Sequence, residues 1–244
     1  MINKKSTLIT GGDGLLGREI VTLLPNSLHP DIKSLNIRNR RILEKYLTDN
    51  KIKLIIHLAA YMPPPLANKN PLEAIETNII GTSYIVDLCI RHSIKLVYLS
   101  TDYVFNGDSG MYREVDPVLP VNKYAWSKLG GECAVRLLDN SIIIRTSFEP
   151  KIFPYDKAFV DQWTTKERVD IIARKIVRLI ETNATGVYHI GGKRLSRYEL
   201  ALELSSGSNI GKLRRNELSY KTPKDVSLNS DKYNKIIRDF YKKG

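Results

Sequence analysis

The chain has 244 residues, 42% of them hydrophobic and 26% charged, with 38 Lys and Arg against 26 Asp and Glu for a formal charge of +12. This length can bury one large core, or a core with a smaller lobe, and the composition excludes disordered and fibrous classes. No apolar run approaches the ~20 residues that cross a bilayer, so no membrane role is expected.

In chain order, Lys5 to Thr10 reads as a buried strand, followed at once by Gly11-Gly12-Asp13-Gly14-Leu15-Leu16-Gly17 and a helical pattern that stops at Pro25. A glycine-rich turn between strand and helix lets backbone N–H groups approach a pyrophosphate at the positive helix end. The spacing Gly11-x-x-Gly14-x-x-Gly17 therefore suggests a dinucleotide site, with a plain tight turn as the other reading. Asp31 is the acid near the offset that usually reads the adenine ribose, while Arg38, Arg40 and Arg41 offer partners for a 2′-phosphate. NADH and NADPH both stay open.

Arg40 to Asp49 predicts a short helix, and Lys53 to Ala60 a continuous apolar strand whose small C-terminal residues admit a ligand. The run Pro63-Pro64-Pro65 predicts a loop without helix at that edge. Helical periodicity resumes from Pro71 to His92, with Gly81 inside it, where close packing against a neighbour offsets the ~1 kcal/mol that a helical glycine costs. Ile94 to Leu99 is a further strand that ends in Ser100-Thr101-Asp102-Tyr103. In a parallel sheet such an end opens onto the ligand crevice, although strand-end capping explains the two hydroxyls equally well.

Tyr124 to Leu138 predicts a helix carrying Tyr124-Ala-Trp-Ser-Lys128. The spacing sets a phenol and an ammonium on one face, one turn apart, so that the cation can act on the tyrosine. A free phenol with a pKa near ~10 is a poor proton carrier at neutral pH, and a neighbouring cation corrects this. The motif alone also arises by chance. Ser141 to Ser147 is a strand, and an irregular stretch runs from there to Trp163. Glu167 to Glu181 is an amphipathic helix, Gly186 to Gly192 a strand, and Ser196 to Leu204 a helix capped by Ser196 with Glu199 at capping-box spacing. The remainder is polar and basic.

Alternation of strands and helices predicts an α/β, Rossmann-type doubly wound parallel sheet. Residues 1–147 are expected to form a dinucleotide-binding core to which 166–190 return, and 148–165 with 191–244 a small substrate-binding lobe. Cys89 and Cys133 lie far apart in helical segments, which suits reduced thiols in the cytoplasm, and no secretion signal is evident. His29, His57, His92 and His189 lack metal-ligand spacing and are expected at strand ends or on the surface. No metal is expected. The positive charge is spread over helix faces, so attraction of phosphate-bearing small molecules is expected rather than nucleic-acid binding.

Taken together, Thr10 to Gly17, His57-Leu58-Ala59-Ala60-Tyr61, Asn78-Ile-Ile-Gly81-Thr82, Ser100 to Phe105, Tyr124 to Lys128 with Gly131-Glu132, Ile144-Arg145-Thr146-Ser147 and Gly186 to Gly192 resemble the extended short-chain dehydrogenase/reductase family, in the branch of the dTDP-4-dehydrorhamnose reductases. The resemblance implies NADPH or NADH as cofactor and hydride transfer to the C4 carbonyl of a nucleotide-linked 4-keto-6-deoxy sugar. It implies that Tyr124 protonates the alkoxide, Lys128 lowers the tyrosine's pKa, and Thr101 hydrogen-bonds the sugar oxygen. Gly11, Asp13, Gly14, Leu15, Leu16, Gly17, Ala59, Ala60, Tyr61, Asn78 and Ser100 would contact the cofactor, and Asp102, Tyr103, Thr146 and Ser147 the sugar. A homodimer is one assembly it allows. It also covers a non-catalytic subunit like that of methionine adenosyltransferase, and nucleotide-sugar epimerases or dehydratases. The chain departs from the family in a short segment between Ser147 and Glu167 and in Met62-Pro63-Pro64-Pro65 after Tyr61.

Overall fold

The computed structural model describes residues 2–62, 64–182, 184–205, 209–218 and 222–242, so Pro63 of the proline run lies outside the described residues. The main elements are β1 (Thr7–Thr10), α1 (Leu15–Leu23), α2 (Arg40–Asp49), β2 (Leu54–His57), α3 (Pro64–Lys69), α4 (Pro71–Ala74), a π-helical stretch (Ile75–Gly81) and α5 (Thr82–His92). After these come β3 (Lys95–Thr101), α6 (Lys123–Val135) and β4 (Ser141–Thr146), then the short strands β5 (Phe148–Glu149), β6 (Lys157–Phe159), β7 (Trp163–Thr164) and β8 (Glu167–Arg168). The chain ends with α7 (Val169–Glu181), β9 (Gly186–Ile190), β10 (Leu195–Ser196), α8 (Arg197–Leu204), β11 (Gly211–Leu213) and α9 (Asp231–Tyr241).

Strands β1, β2, β3, β4 and β9 form one sheet in that order, with every neighbouring pair parallel. Their central residues, such as Leu8, Ile9, Ile55, Ile56, Leu96, Val97 and Ile142 to Ile144, are apolar and buried because both faces are covered. Neighbours on β1 divide between the two sides: Ile9 joins Ile20, Ile56 and Ile176 under α1 and α7, and Leu8 joins Leu43, Ile55, Ile85 and Val135 under α2, α5 and α6. The reversal that makes the sheet doubly wound rests on one residue. Leu28 bridges Leu8 on the outer side of β1, with Leu28 N–H on Thr7 O at 2.9 Å and Ile9 N–H on Leu28 O at 2.8 Å. The strand order therefore switches between β1 and β2, and in such sheets ligands bind beyond the C-terminal strand ends at the switch.

Three two-stranded ladders, β5 with β8, β6 with β11 and β7 with β10, extend from that edge. With α8 they surround a small core of Phe153, Ala158, Leu200, Ala201, Leu204 and Ile210. Ser196 caps α8 with both bonds of the expected capping box. Gly81 packs as expected, since a Cβ there would stand 3.0 Å from the Ile37 side chain.

Two expectations need correction. Helix α3 begins at Pro64, where a loop was expected, because first-turn N–H groups have no helical partner and proline loses nothing there. The polar C-terminal stretch holds α9, which packs on the sheet side rather than within a lobe spanning 191–244: Tyr233 is 5% exposed in the core beneath α7, and its hydroxyl donates to Lys175 O. His57 stands at a strand end, as expected, closing β2, and both it and His189, next to the end of β9, are wholly buried. The His57 ring lies between the hydroxyls of Thr10 and Thr82, at 2.7 and 3.0 Å, and burial together with Lys128 brings its pKa down to about 3, so it is neutral.

A buried ion pair fixes α6 to the sheet. Arg145 of β4 donates to Glu132 of α6 at 2.6 and 3.1 Å, and Ser100 of β3 donates to the same carboxylate at 2.9 Å. Arg145→Met leaves the Glu132 charge with the Ser100 hydroxyl and the half-exposed Arg136, so urea unfolding is expected to show a loss of about 3–5 kcal/mol, and the double variant Arg145→Met/Glu132→Gln a smaller one.

Candidate active site

The loops after β1, β2, β3 and β4 meet at one edge of the sheet. Gly11 takes φ +74° so that its backbone can pass Ala59, whose N a Cβ would approach to 2.7 Å, and a Cβ on Gly17 would lie 2.2 Å from Gly11 O. At Gly14 an added Cβ meets only Gly11 O, at 3.2 Å, and this glycine caps α1 without a side chain. The N-terminus of α1 thus has no side-chain cap and is open at Gly14, an arrangement that suits a pyrophosphate. Asp13 and Leu15 are exposed beside it, whereas Leu16 is a core residue at 3% exposure and offers only its backbone.

Asn78 has a different place from the one expected. It is fully buried in the π-helical stretch: its Oδ1 accepts Tyr61 N–H at 2.7 Å, and its amide donates to Tyr61 O at 3.2 Å and to Ser127 Oγ at 2.8 Å. Its bonding capacity is spent tying the loop of Ala59, Ala60 and Tyr61 to the helix that bears the Tyr124 motif. Ser100 likewise turns its hydroxyl to Glu132 rather than to the crevice. Arg38 is held by Glu73 and Glu76, and Arg40 by Asp87 and Glu44, so two of the three cations proposed for a 2′-phosphate already have carboxylate partners. Asp31 accepts Ser34 N–H at 2.8 Å in a local turn.

A cavity of about 190 Å³ brings together Thr101, Asp102, Tyr103, Tyr124, Lys128, Thr146 and Ser147, with Ala60 and Ser100 also on its wall. Asn122 caps α6 by accepting Ala125 N–H, and Ser127 Oγ donates to Tyr124 O at 2.7 Å, which holds the first turn of this helix over β3. Lys128 is 3% exposed, its Nζ 4.2 Å above the centre of the Tyr98 ring, and the Tyr98 hydroxyl donates to Lys128 O at 2.9 Å. Burial pulls the ammonium down to about 7, against the Glu132 carboxylate, which raises it. Tyr124 is raised above the ordinary phenol, first by burial and then by Asp102 and Tyr103. The expected lowering of Tyr124 by Lys128 is therefore not what governs the phenol, which burial dominates. The tyrosine holds its proton, as an acid must before it donates.

Thr101 Oγ1 donates to Asp102 Oδ1 at 3.1 Å and accepts Tyr103 N–H at 3.2 Å, and Ser147 Oγ donates to the other Asp102 oxygen. Burial raises the Asp102 carboxyl, with Lys166 and these hydroxyls opposing. Thr146 is 3% exposed, and its Oγ1 lacks a hydrogen-bond partner among the described residues. A larger cleft of about 730 Å³ adjoins, sharing Tyr103 and walled by Phe153, Tyr155 and Phe159. Sequence reasoning missed this cleft and missed Lys166, Glu149 and Arg197, because the stretch after Ser147 carries no periodicity. Capping by Ser196 was the one signal near Arg197.

Residues 5–151 match the family described as "RmlD substrate binding domain". A dTDP-4-dehydrorhamnose reductase of Aggregatibacter actinomycetemcomitans is 36% identical over 148 residues, 58% of this chain and half of that protein's length. A dTDP-4-keto-6-deoxy-D-glucose reductase of Streptomyces niveus is 31% identical over 75% of this chain and 71% of its own, and the methionine adenosyltransferase 2 subunit beta of Bos taurus 25% identical over 86% and 74%. The crystal structure of the Bacillus anthracis dTDP-4-dehydrorhamnose reductase in complex with NADP superposes with a TM-score of 0.85 at 25% identity, covering 100% of both chains. The fold and the cavity define a Rossmann-type extended short-chain dehydrogenase/reductase, and this chain belongs to the RmlD substrate binding domain family within that class.

The Lys128 geometry sets a pH dependence. With a folded pKa of about 7 against an ordinary 10.5, the unfolded chain binds the extra proton between these values, so this lysine's contribution to stability is greatest above pH 10.5 and is lost as pH falls to about 7. Urea unfolding should show the wild type gaining stability over Lys128→Met between about pH 6.5 and about pH 9.5. An unchanging difference would contradict this.

Proposed function

We propose that this chain is an NAD(P)H-dependent reductase of the C4 carbonyl in a nucleotide-linked 4-keto-6-deoxy sugar. The observation that carries the reading is the common cavity of Thr101, Tyr124 and Lys128 beside an uncapped glycine cradle at α1. A bound nicotinamide cofactor supplies the hydride. The Tyr124 hydroxyl gives its proton to the oxygen of the reduced carbonyl, and the buried Lys128 charge stabilises the phenolate left behind. Thr101 reaches the same oxygen from the end of β3, and Asp102, Tyr103, Thr146 and Ser147 line the sugar's surroundings. Gly11, Gly14 and Gly17 with the α1 N–H groups hold the pyrophosphate, and Ala59 and Ala60 leave room along the crevice.

The reading includes a cytoplasmic enzyme with free thiols, a nucleotide-sugar substrate and no nucleic-acid partner. A homodimer is supported by apolar surface along α4 to α6, where Leu72 is 72% and Trp126 51% exposed. One observation favours a second reading, a dinucleotide-binding regulatory subunit: the similarity to the methionine adenosyltransferase subunit runs over 86% of this chain. The catalytic set argues for the enzyme, since binding alone has no use for a half-buried Tyr124 beside a buried Lys128.

With a dTDP-linked 4-keto-6-deoxyhexose, the protein is expected to oxidise NADPH or NADH. Tyr124→Phe should lower kcat by about 10²–10⁴-fold while cofactor binding, followed by fluorescence, persists. Turnover undiminished in that variant, or cofactor binding without turnover in the wild type, defeats the reductase reading.

A further inference from the structure

The connection from β2 to α5 reaches α6 on both sides of Tyr124, through two asparagines. Asn78 is the inner tie: it donates to Ser127 Oγ at 2.8 Å, and Ser127 in turn donates to Tyr124 O at 2.7 Å. Asn68 of α3 is the outer one, its Oδ1 accepting the N–H of Lys123, the residue just before the tyrosine, at 3.3 Å. The Lys123 ammonium folds back and donates to Asn68 O, also at 3.3 Å.

Two helix ends thus cap each other. The first N–H groups of a helix and its last carbonyls have no helical partners. Asn122 serves Ala125 N–H from the start of α6 itself, and Asn68 serves Lys123 N–H from outside. In the other direction, Asn68 is the second-to-last residue of α3, and the helix cannot run on, because Asn70 precedes Pro71 and takes φ −122° and ψ 72°. Lys123 meets the carbonyl this leaves open. The clasp also accounts for the charge at this position. A cation on the first residue of α6 opposes that helix's dipole, whereas the same cation at the end of α3 complements the dipole there.

Little else holds α3. Its six residues are too few to form a stable helix alone, and Ala67 is the one buried side chain among those described on it. Pro65 and Asn68 wall the larger cleft together with Asn122, so the clasp joins the rim of that cleft to the turn that carries Tyr124 into the small cavity. The same segment, after Tyr61, is where the sequence departs from its family.

Resting on the reductase reading of this site, we infer that Asn68 is a positioning residue for the reaction, which with Lys123 fixes the first turn of α6 from the solvent side as Asn78 does from the core. It acts through the placement of the Tyr124 hydroxyl and not on the sugar itself. Proton transfer is sensitive to such placement, because a donor displaced by even about 1 Å loses much of its effect.

Hydrogen exchange followed by mass spectrometry, together with steady-state kinetics on the full chain, tests this. In Asn68→Ala, exchange in the peptide spanning residues 122–128 should speed up about five-fold, the loss of one helix cap, and kcat with NADPH and a dTDP-linked 4-keto-6-deoxyhexose should fall about 3–10-fold. KM for the sugar nucleotide, and NADPH affinity followed by fluorescence, should stay within about two-fold of the wild type. Asn68→Asp, whose carboxylate accepts the same N–H, should return both exchange and kcat to within about two-fold. The inference is overturned if exchange or kcat in Asn68→Ala matches the wild type, if KM rises while kcat holds, as for a residue that only walls the cleft, or if Asn68→Asp is as impaired as Asn68→Ala. Wild-type protein that reduces no 4-keto sugar, with the expected exchange pattern in both variants, supports the clasp and overturns the reductase reading instead.

Discussion

The Glu132 carboxylate is the constraint on which the candidate site depends. It is buried on α6 one turn beyond Lys128, and it is gripped by Arg145 from β4 and Ser100 from β3. A charge in that position would be prohibitive without its partners, so the pair demands that helix and strands meet in one geometry. The same carboxylate is the negative charge that raises the Lys128 pKa against burial. Fold and chemistry are thus coupled through one side chain, which fixes where Tyr124 stands and helps decide whether Lys128 carries its proton. Asn78 adds the second tie, joining the loop at Tyr61 to Ser127 on the same helix. The π-helical turn that contains Asn78 is the kind of local irregularity that often marks functional sites.

Much of the architecture was legible because its signals are local. The strands Leu54–His57 and Ser141–Thr146 read from their apolar stretches Leu54 to Ile56 and Ile142 to Ile144, and both lie inside a sheet covered on two faces. The Ser196 capping box declared the start of α8 outright. The failures have physical causes. Pro64 breaks a helix only from its interior, and it stands at the start of α3. The last helix hides a narrow apolar stripe of Tyr233, Ile236 and Ile237 among lysines, which composition reads as a solvated tail. Leu28, the single residue that makes the sheet doubly wound, pairs through its backbone and leaves no pattern in the side chains.

The candidate site divides in the same way. Tyr124 with Lys128 and the Gly11–Gly17 loop were readable because spacing within one element sets their geometry, whereas Thr101 was marked only by its place at a strand end and by the family resemblance. Asn78 and Ser100 were assigned to the cofactor, but their polar atoms are claimed by Tyr61, Ser127 and Glu132, partners that come from elements remote in sequence. Lys166, Glu149 and Arg197 were invisible for a related reason. Their meeting depends on short ladders formed by segments that carry no periodicity, and only the fold brings three such distant charges to one oxygen.

The central claim is that this cavity reduces a sugar carbonyl at C4 with net consumption of a nicotinamide cofactor. Nicotinamide cofactor deuterated at its transferable position, incubated with the protein and a dTDP-linked 4-keto-6-deoxyhexose, puts the claim to a direct measurement by NMR of the product. The account predicts one deuterium at C4 of the sugar for each cofactor oxidised. Product without deuterium at C4, or a sugar recovered unchanged beside a bound and unoxidised cofactor, would contradict it.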